Sequence, residues 1–318
     1  MECKGFIFVA MPEIILPEVE LNIYSTKSPI EVTVVENYVA TKESSPNIIR
    51  HITFDITGTD LVGRVVAGQS IGVLAPGLDE RGKPHKLRLY SVSSPSNGEG
   101  GKRHLISTTV KRDLTEVDEQ GLLIGVCSNY LCDLNIGDKV TLTGPSGKRF
   151  LIPKNAEDFN YVFFATGTGI APYRGMIMDL MEKGFSNEIA LVFGCPYRTD
   201  VLYPTYFEEV DAKHTNFHYF KCISREDRRP DGSKYYVQSA LLDYEDTLAP
   251  ILSRENTLIY LCGLKGMETG IYHNLAKMGL TDYLIIKEPL EGLKPEEWDY
   301  EVMKKNLKPS ARAFEEVY

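Results

Sequence analysis

The strongest constraint on the fold is a pattern that repeats through the second half of the chain. Each repeat is an apolar run of strand length followed by a glycine- or proline-marked turn and, in most cases, by a helical pattern; the runs are residues 161–165, 189–193, 217–223 and 258–262. Apolar strands that alternate with helices predict a parallel sheet with helices on both faces. Because such sheets bind ligands beyond the carboxyl ends of their strands, the turns are candidate binding loops.

The first half of the chain has a different pattern, in which short alternating strands are separated by turns. The candidate strands are residues 30–38, 48–56, 87–92, 105–110 and 139–144, and turn signals lie at Pro76-Gly77, Asn97-Gly98 and Gly144-Pro145. Short strands at this spacing predict an antiparallel barrel or sandwich. The length of 318 residues suits two domains of roughly 150 residues each. We expect an N-terminal extension (1–26), an antiparallel β-barrel domain (27–153) and an α/β domain with a parallel sheet (154–318).

Composition and charge narrow the function classes. Hydrophobic residues make up 43% of the chain and charged residues 25%, as in ordinary folded proteins, and the net charge of −9 argues against a general nucleic-acid binder. No apolar run approaches the roughly 20 residues of a membrane-spanning helix. The apolar stretch 5–15 is interrupted by Pro12 and Glu13, and no convincing cleavage site follows it, so we expect this stretch to be disordered rather than a signal peptide.

The six cysteines indicate neither a disulfide framework nor a metal site. They stand far apart, at positions 3, 127, 132, 195, 222 and 262, and this scatter is typical of a reducing compartment. Cys127 and Cys132 have the C-x4-C spacing that opens a plant-type iron–sulfur motif, but no C-x2-C step follows it. No cysteine or histidine pair has the spacing of zinc ligands, so we expect no bound metal.

Positive charge is concentrated in one segment of this acidic chain. Residues 81–112 contain eight basic residues and one acid, Glu99, a formal charge of +7 in a chain whose total is −9. A solvated loop face accounts for such a run, and so does a docking surface for an acidic partner or a phosphate. The charge pattern alone leaves both interpretations open.

Two short motifs in the first half suit a phosphate joined to a flat ring system. In the RLYS run, strand alternation puts Arg88 and Tyr90 on one face and Ser91 on the other. Gly125 opens a predicted helix, and the first N–H groups of a helix bind anions. The plainer alternatives are a solvent-facing strand and an ordinary helix with Ser128 as its N-cap.

These motifs resemble the flavin site of the ferredoxin–NADP+ reductase family, in its plant and plastid-type branch. Segments 77–94, 125–134 and 144–148 resemble that branch in the same order along the chain. The resemblance implies that Arg88 and the helix start hold the pyrophosphate of FAD, that Tyr90 packs on the isoalloxazine ring, and that the Ser91 hydroxyl lies near the reactive nitrogen. The residues that it assigns to FAD are Arg88, Leu89, Tyr90, Ser91, Val110, Lys111, Gly125, Val126, Cys127, Ser128 and Tyr318.

The turns of the second half suit a nucleotide phosphate. Residues 165–172 read ATGTGIAP, and glycines let the backbone approach a phosphate at a helix start. Arg225 follows the third apolar run; a cation there suits a 2′-phosphate, whereas an NAD site favours an acid. The resemblance implies NADP(H) as the nucleotide, held by Thr168, Gly169, Ser224, Arg225, Lys234, Tyr236, Gln238, Gly263 and Leu264.

The end of the fourth run and the end of the chain take their roles from the resemblance. Without it, Cys262 reads as an inert buried thiol and the terminal aromatic as a frayed end. In the family, the cysteine touches the nicotinamide ring, the last tyrosine stacks over the flavin and yields to nicotinamide, and the carboxylate two residues earlier assists electron or proton exchange. The catalytic residues that the resemblance implies are Ser91, Cys262, Glu316 and Tyr318.

One segment departs from the family pattern. Plant-type relatives carry a tyrosine shortly after the strand that matches residues 105–110, and it packs on the adenine of FAD. Here residues 111–116 read KRDLTE, without an aromatic side chain. We therefore expect the adenosine half of FAD to be held differently, while the expected isoalloxazine site is unchanged.

The function that the resemblance implies is that of an FAD-dependent ferredoxin–NADP+ reductase, which exchanges single electrons with ferredoxin or flavodoxin and hydride with NADP(H). Because ferredoxins are acidic, the docking candidates are Arg81, Lys83, Lys86, Lys148 and Arg149. The alternatives are an NAD(P)H diaphorase and an electron-transfer subunit of a larger complex on the same scaffold. We expect a bacterial cytoplasmic protein, with a mature plastid stromal form as the alternative.

Overall fold

A computed structural model describes residues 11–117 and 121–318, except for the side chains of 115–117 and 121–123. The elements of the first half are β1 (Ile30–Val39), β2 (Ile49–Asp55), β3 (Ser70–Leu74), β4 (Arg88–Ser91), β5 (Leu105–Lys111), β6 (Leu114–Val117), β7 (Gly121–Ile124), α1 (Val126–Asp133) and β8 (Lys139–Ser146). Six of the strands form an antiparallel sheet in the order β4-β3-β8-β1-β2-β5, and β6 pairs with β7. Val92, just after β4, bridges to Thr108 of β5, which joins the two edges of the sheet as in a barrel.

Two features of this sheet differ from the expectation. Strand β3 is absent from the predicted strands because it is short and contains Gly72, a residue that disfavours strands; an added Cβ there would collide with the Thr143 hydroxyl of β8. The predicted turn at Gly144-Pro145 is wrong, because β8 runs through both residues. Gly144 exchanges two backbone hydrogen bonds with Tyr24, of 2.8 and 3.0 Å, so ladder partners override the local turn preference.

The second half contains the predicted parallel sheet. In chain order its elements are β9 (Asn160–Thr166), α2 (Ile170–Glu182), β10 (Ile189–Cys195), α3 (Pro204–Lys213), β11 (Phe217–Ile223), α4 (Ala240–Asp243), α5 (Glu245–Leu252), β12 (Thr257–Gly263), α6 (Met267–Lys277), β13 (Leu284–Ile286), α7 (Tyr300–Asn306), β14 (Leu307–Pro309) and β15 (Ala313–Val317). The sheet order is β11-β10-β9-β12-β15, and β13 pairs separately with β14. The expected fold class is confirmed. No helix within the described ranges is long and apolar enough to cross a membrane.

Alternate residues of β9 divide the core of the second half into two layers. Tyr161 and Phe163 belong to a buried cluster with residues of α2 and α3, whereas Val162 and Phe164 belong to a cluster with residues of α4, α5 and α6. Burying one valine or phenylalanine side chain stabilises a fold by about 1.5 to 3 kcal/mol. This burial on both faces explains why the sequence shows continuous apolar runs rather than alternation.

The segment before β1 is ordered where the structure describes it. Met11 and Ile14 pack against the core of the second half, and the Ile15 carbonyl accepts a 2.7 Å hydrogen bond from the Lys154 N–H. Farther along, Tyr24 pairs with β8 of the first half. The expectation that residues 5–15 are disordered is therefore wrong for residues 11–15, and the extension up to residue 26 touches both halves. Residues 1–10 lie outside the described residues.

A buried ion pair joins the two halves next to the edge where ligands are expected. Arg174 of α2 donates to both Glu99 carboxylate oxygens, at 2.7 and 2.9 Å, and to the Ser93 carbonyl at 2.9 Å. The Tyr203 ring lies 5.0 Å below the Arg174 guanidinium, and its hydroxyl bonds His51 Nδ1 of β2 at 2.9 Å. Breaking a buried pair leaves an uncompensated charge, so this contact holds α2 in place against the antiparallel sheet.

Candidate functional site

A cleft of about 1210 Å³ lies between the antiparallel sheet and the carboxyl ends of the parallel strands. Every residue that the family resemblance assigns to FAD lines this cleft, namely Arg88, Leu89, Tyr90, Ser91, Val110, Lys111, Gly125, Val126, Cys127, Ser128 and Tyr318. Of the residues assigned to the nucleotide, those that line it are Thr168, Ser224, Tyr236, Gln238 and Leu264. The topology thus brings residues of both halves to one cavity.

On the antiparallel side, β4 presents a cation beside an aromatic ring. The strand pairs with β3, with Arg88 opposite Val73 and Tyr90 opposite Ile71. Arg88 is exposed, whereas Tyr90 is half-buried. Desolvation raises the pKa of Tyr90, and the neighbouring Cys127 thiol adds to that rise, so the phenol stays neutral.

The start of α1 supplies backbone donors at the same wall. Its N-cap residue is Gly125, as expected, and not Ser128, the residue of the plainer alternative. The Ser128 hydroxyl instead donates to the Gly125 carbonyl at 3.2 Å. A Cβ at Gly125 would lie 2.8 Å from the Ser128 hydroxyl and 2.9 Å from an Asp113 carboxylate oxygen. The first N–H groups of this eight-residue helix have no partner within the helix. Together with Arg88 they fit a pyrophosphate.

On the parallel side, two glycines bring the loop after β9 against the end of β12. A Cβ at Gly169 would collide with the Cys262 carbonyl, and one at Gly263, where φ is +137°, would collide with the Thr166 hydroxyl. Both glycines were expected to contact the nucleotide, but neither lines the cleft. Their effect is indirect, since the close approach aligns Thr168 and Leu264 along the cleft wall.

The turn after β11 divides the predicted nucleotide residues between the cleft and the outer surface. Ser224 lies in the cleft wall, whereas Arg225 and Lys234 are exposed outside it. The Ser224 N–H donates to the Cys195 carbonyl at 2.9 Å, and the Arg225 N–H donates to the Pro196 carbonyl at 3.0 Å. Backbone hydrogen bonds to the neighbouring turn therefore fix Arg225 next to the cleft residue Ser224, and Lys234 precedes the cleft residues Tyr235 and Tyr236. Both cations thus lie at the rim.

The chain end is not frayed. Strand β15 runs parallel to β12, with Cys262 opposite Glu316. The Tyr318 N–H donates to the Gly263 carbonyl and the Lys265 N–H donates to the Tyr318 carbonyl, both at 3.0 Å. The Tyr318 hydroxyl lies 2.6 Å from the Thr168 hydroxyl oxygen. These contacts place an exposed phenol ring in the cleft.

Two predicted catalytic residues, Cys262 and Glu316, do not line the cleft. Cys262 is 1% exposed and does not line the cleft, and burial raises the pKa of its thiol, so it is a neutral thiol and not a nucleophile. Burial also raises the pKa of Glu316 to about 7. The Glu316 carboxylate lies 4.0 Å from the Cβ position of Gly147, beside the loop that follows β8.

The basic residues predicted for docking are exposed on two loops. Arg81 and Lys83 lie on a loop that Asp79 holds by accepting both of their backbone N–H groups at 2.9 Å. Lys86 lines the cleft, and Lys148 with Arg149 follows β8. The basic segment is neutralised in part, because Arg112 pairs with Asp133.

Several cleft residues were missed by the sequence reasoning. Asp200, 2% exposed, accepts a 2.8 Å hydrogen bond from the Asn47 amide of the first half, and both residues line the cleft. Other missed lining residues are Ile49, Lys265, Met267 and Tyr300. Proximity to the ends of β10 and β12 was a usable signal for Asp200 and Met267, whereas no motif marks Asn47. Among the described residues, no three His, Cys, Asp or Glu side chains are grouped to hold a metal.

Comparison with known proteins identifies similar oxidoreductases. The family model described as "Oxidoreductase NAD-binding domain" matches residues 163–273. A ferredoxin–NADP reductase of Picosynechococcus sp. is 42% identical over 261 residues, which cover 80% of this chain and 64% of that relative, so this chain spans less than two thirds of its length. The corresponding Spirulina sp. protein is 40% identical, with 80% and 88% covered.

A plant relative and a solved structure extend the comparison. The chloroplastic leaf isozyme 1 of ferredoxin–NADP reductase from Oryza sativa subsp. indica is 38% identical over 288 residues, 88% of this chain and 78% of that relative. The structure of ferredoxin–NADP+ reductase from Plasmodium falciparum superposes with a TM-score of 0.67 at 24% identity, over 94% of this chain and 99% of that one. At that identity the structural likeness concerns the fold alone.

Proposed function

This chain belongs to the ferredoxin–NADP reductase family, and from that premise we propose that it is an FAD-dependent oxidoreductase that exchanges single electrons with ferredoxin and hydride with NADP(H). The observation that carries the proposal is one cleft lined by all the predicted FAD residues and by five of the nine predicted nucleotide residues. The relatives are named as ferredoxin–NADP reductases, which favours this activity over a diaphorase or a subunit of a larger complex. Flavodoxin is proposed as a second electron carrier.

FAD is proposed to lie along the antiparallel wall of the cleft. The N–H groups at the start of α1 and the Arg88 guanidinium would hold its pyrophosphate, and the half-buried Tyr90 ring would pack on the isoalloxazine. When bound, FAD supplies the exchange between one-electron and two-electron carriers. The Ser91 hydroxyl would lie near the reactive nitrogen.

NADP(H) is proposed to bind across the carboxyl ends of β9, β11 and β12. Thr168 and Leu264 would contact the pyrophosphate and adenosine from the cleft wall. Ser224, Arg225 and Lys234 would bind the 2′-phosphate, and Tyr236, 43% exposed in the cleft wall, would pack on the adenine. This arrangement leaves the nicotinamide end directed towards Tyr318.

The Tyr318 ring is proposed as a gate. It is held by the 2.6 Å contact with Thr168 and by the strand contacts of β15, so nicotinamide has to displace it to approach the flavin. Once the ring has moved, the buried Cys262 side chain would form the floor against which nicotinamide packs. The main contribution to rate is then the fixed, close approach of two rings.

Glu316 is proposed as a proton-holding group beneath the gate. With its pKa raised to about 7 by burial, its carboxyl group is poised to hold or release a proton near neutral pH. It lies beside Gly147, next to the Lys148–Arg149 pair proposed for ferredoxin docking. This position would link proton exchange to the arrival of the electron carrier.

The domain limits and the location of the protein are also proposals. We place the domain boundary between 153 and 154, in the segment that joins β8, which ends at Ser146, to β9, which begins at Asn160. The relatives include a chloroplastic protein. A compartment that contains ferredoxin is proposed, either the bacterial cytoplasm or the plastid stroma.

The test is an absorbance spectrum of the purified protein, followed by anaerobic additions of NADPH and NADH. We expect flavin bands that NADPH bleaches rapidly and NADH slowly, and then ferredoxin-dependent reduction of cytochrome c. Equal bleaching by both nucleotides would contradict the 2′-phosphate site and keep the flavin site. A protein that does not take up FAD would contradict the proposed function as a whole.

A further inference from the structure

The proposed 2′-phosphate site carries two acidic residues that work against its function. Glu226 and Asp227 directly follow Arg225 in the turn after β11, and their side chains are 37% and 34% exposed. A free carboxylate beside a phosphate repels it, and a carboxylate that pairs with Arg225 would neutralise the cation. A phosphate site of this composition therefore needs a partner group that pairs with both carboxylates.

Arg198, on the neighbouring turn after β10, is that partner for both carboxylates. Arg198 Nη1 donates to Glu226 Oε2 at 3.1 Å, and Arg198 Nη2 donates to Asp227 Oδ1 at 2.5 Å. The Arg198 backbone N–H also donates to Glu226 Oε2, at 2.8 Å. One guanidinium and one backbone N–H thus hold both acids on the side of the turn where Arg198 lies.

The same turn holds Arg225 in a separate contact. Arg225 Nη1 donates to the Tyr197 hydroxyl at 2.9 Å, and its guanidinium carbon lies 5.4 Å from the centre of the Tyr197 ring. A phenol positions a guanidinium without neutralising it. The two turns lie side by side because β10 and β11 are parallel neighbours with Cys195 opposite Ile223.

We infer that Arg198 is a specificity-determining positioning residue: by holding Glu226 and Asp227, it leaves Arg225 on Tyr197 free to bind a 2′-phosphate. The inference rests on the proposed binding of NADP(H). Arg198 acts through its two acidic partners and needs no contact with the nucleotide. Its removal therefore weakens ligands that carry the 2′-phosphate and leaves those that lack it unchanged.

The test compares dissociation constants for 2′-phospho-AMP and AMP in the full-length, flavin-loaded protein. Calorimetry gives the first, and displacement of 2′-phospho-AMP gives the second. For Arg198→Gln we expect the dissociation constant of 2′-phospho-AMP to rise about three- to tenfold, because exposed charges interact through a high dielectric. AMP binding stays within about 1.5-fold, and the effect shrinks as salt approaches about 0.3 M.

Two further variants separate this effect from folding and from net charge. Arg254→Gln removes the same charge from a 49% exposed arginine that pairs with Glu188 near the amino ends of the strands, and we expect both dissociation constants to stay unchanged. Adding Glu226→Gln and Asp227→Asn to Arg198→Gln removes the released carboxylates and should restore the affinity for 2′-phospho-AMP.

The outcomes distinguish this inference from the proposed function. Wild-type protein that binds AMP as tightly as 2′-phospho-AMP would overturn the 2′-phosphate site itself. Where the wild type discriminates, unchanged discrimination in Arg198→Gln would overturn only the role of Arg198. Equal weakening of both ligands, or no recovery in the triple variant, would overturn it as well.

Discussion

The two walls of the cleft are built for anions in different ways. The antiparallel wall offers the backbone N–H groups of α1 and three basic side chains, Lys86, Arg88 and Lys111, beside the half-buried Tyr90. The parallel wall places its cations, Arg225 and Lys234, exposed at the rim. Backbone donors beside a half-buried ring suit a ligand that stays, whereas exposed side-chain cations without such donors, which salt screens, suit one that exchanges. The contrast matches a resident FAD and a substrate nucleotide.

The strongest challenge to this contrast is charge reversal at the rim. Arg225→Glu removes a charge-assisted hydrogen bond, worth about 1.5 to 3 kcal/mol, and adds repulsion. We expect the KM for NADPH to rise about 100-fold and that for NADH to stay within about twofold, with the FAD content unchanged. Steady-state kinetics with both nucleotides measures these KM values. An equal rise in both would show that Arg225 does not bind the 2′-phosphate.

The reciprocal change is made at the other wall. Arg88→Gln removes one charged donor from the proposed pyrophosphate and leaves the N–H groups of α1, so the dissociation constant of FAD should rise about 10- to 30-fold. Flavin fluorescence during titration of the apoprotein measures it. The ratio of KM values for NADH and NADPH should not move.

The matched control for Arg88 is Arg103→Gln, an exposed arginine of the same basic segment that does not line the cleft. It should leave the dissociation constant of FAD unchanged. If both variants lose FAD equally, general positive charge rather than the Arg88 contact holds the cofactor, and the contrast between the walls disappears.

Glu316, which does not line the cleft, sharpens the comparison, because the pKa of its carboxyl group is set by burial and not by a cation. Burial raises the pKa of Glu316 from 4.5 to about 7, so the folded state binds its proton more tightly than the unfolded state does. The free energy of unfolding of the wild type therefore falls as pH rises from about 4.5 to 7, because the folded state increasingly has to carry an ionised, buried carboxylate. Relative to wild type, the free energy of unfolding of Glu316→Gln should rise by roughly 1 to 2 kcal/mol between these two pH values. This figure is reduced for the partial exposure of the side chain.

Urea unfolding at several pH values measures this difference. Glu291→Gln, at an exposed glutamate, is the control and should shift stability equally at all pH values. A stability difference between Glu316→Gln and wild type that does not change with pH would show that the Glu316 carboxyl titrates normally.

What the sequence predicted well depends on local patterns, and what it missed depends on distant contacts. The apolar runs of the second half appear as β9 to β12 because burial on both faces leaves a signal within each strand. Loops at the carboxyl ends of those strands line the cleft, and they could be predicted because the strands themselves could be. The prediction that Gly125 opens α1 is confirmed, because it too rests on a local pattern. The predicted turn at Gly144-Pro145 is wrong, because hydrogen bonds to the distant Tyr24 outweigh the local turn preference.

Contacts between the halves left no local signal. The Glu99–Arg174 pair joins residues 75 apart, and the Asn47–Asp200 contact joins residues 153 apart. Neither residue type is unusual where it stands, so only the folded structure brings the partners together. The same holds for Arg198, because its proposed role depends on ion pairs with Glu226 and Asp227, which lie on the neighbouring turn and are distant in the sequence.

The smallest expected effect concerns the surface outside both walls. Lys148 and Arg149 are exposed beside Gly147, whose Cβ position lies 4.0 Å from Glu316 Oε1. If ferredoxin docks there, Lys148→Glu should raise the KM for ferredoxin about threefold at about 50 mM salt, and less at about 0.3 M, because exposed pairs contribute only about 0.2 to 1 kcal/mol. Lys213→Glu, an equal charge change on α3, is the control. The KM for NADPH should stay constant in both variants, because the proposed 2′-phosphate site lies on the turn after β11. A change in the KM for NADPH with Lys148→Glu would mean that long-range charge affects the binding of both ferredoxin and NADPH, and that the two do not bind at independent surfaces.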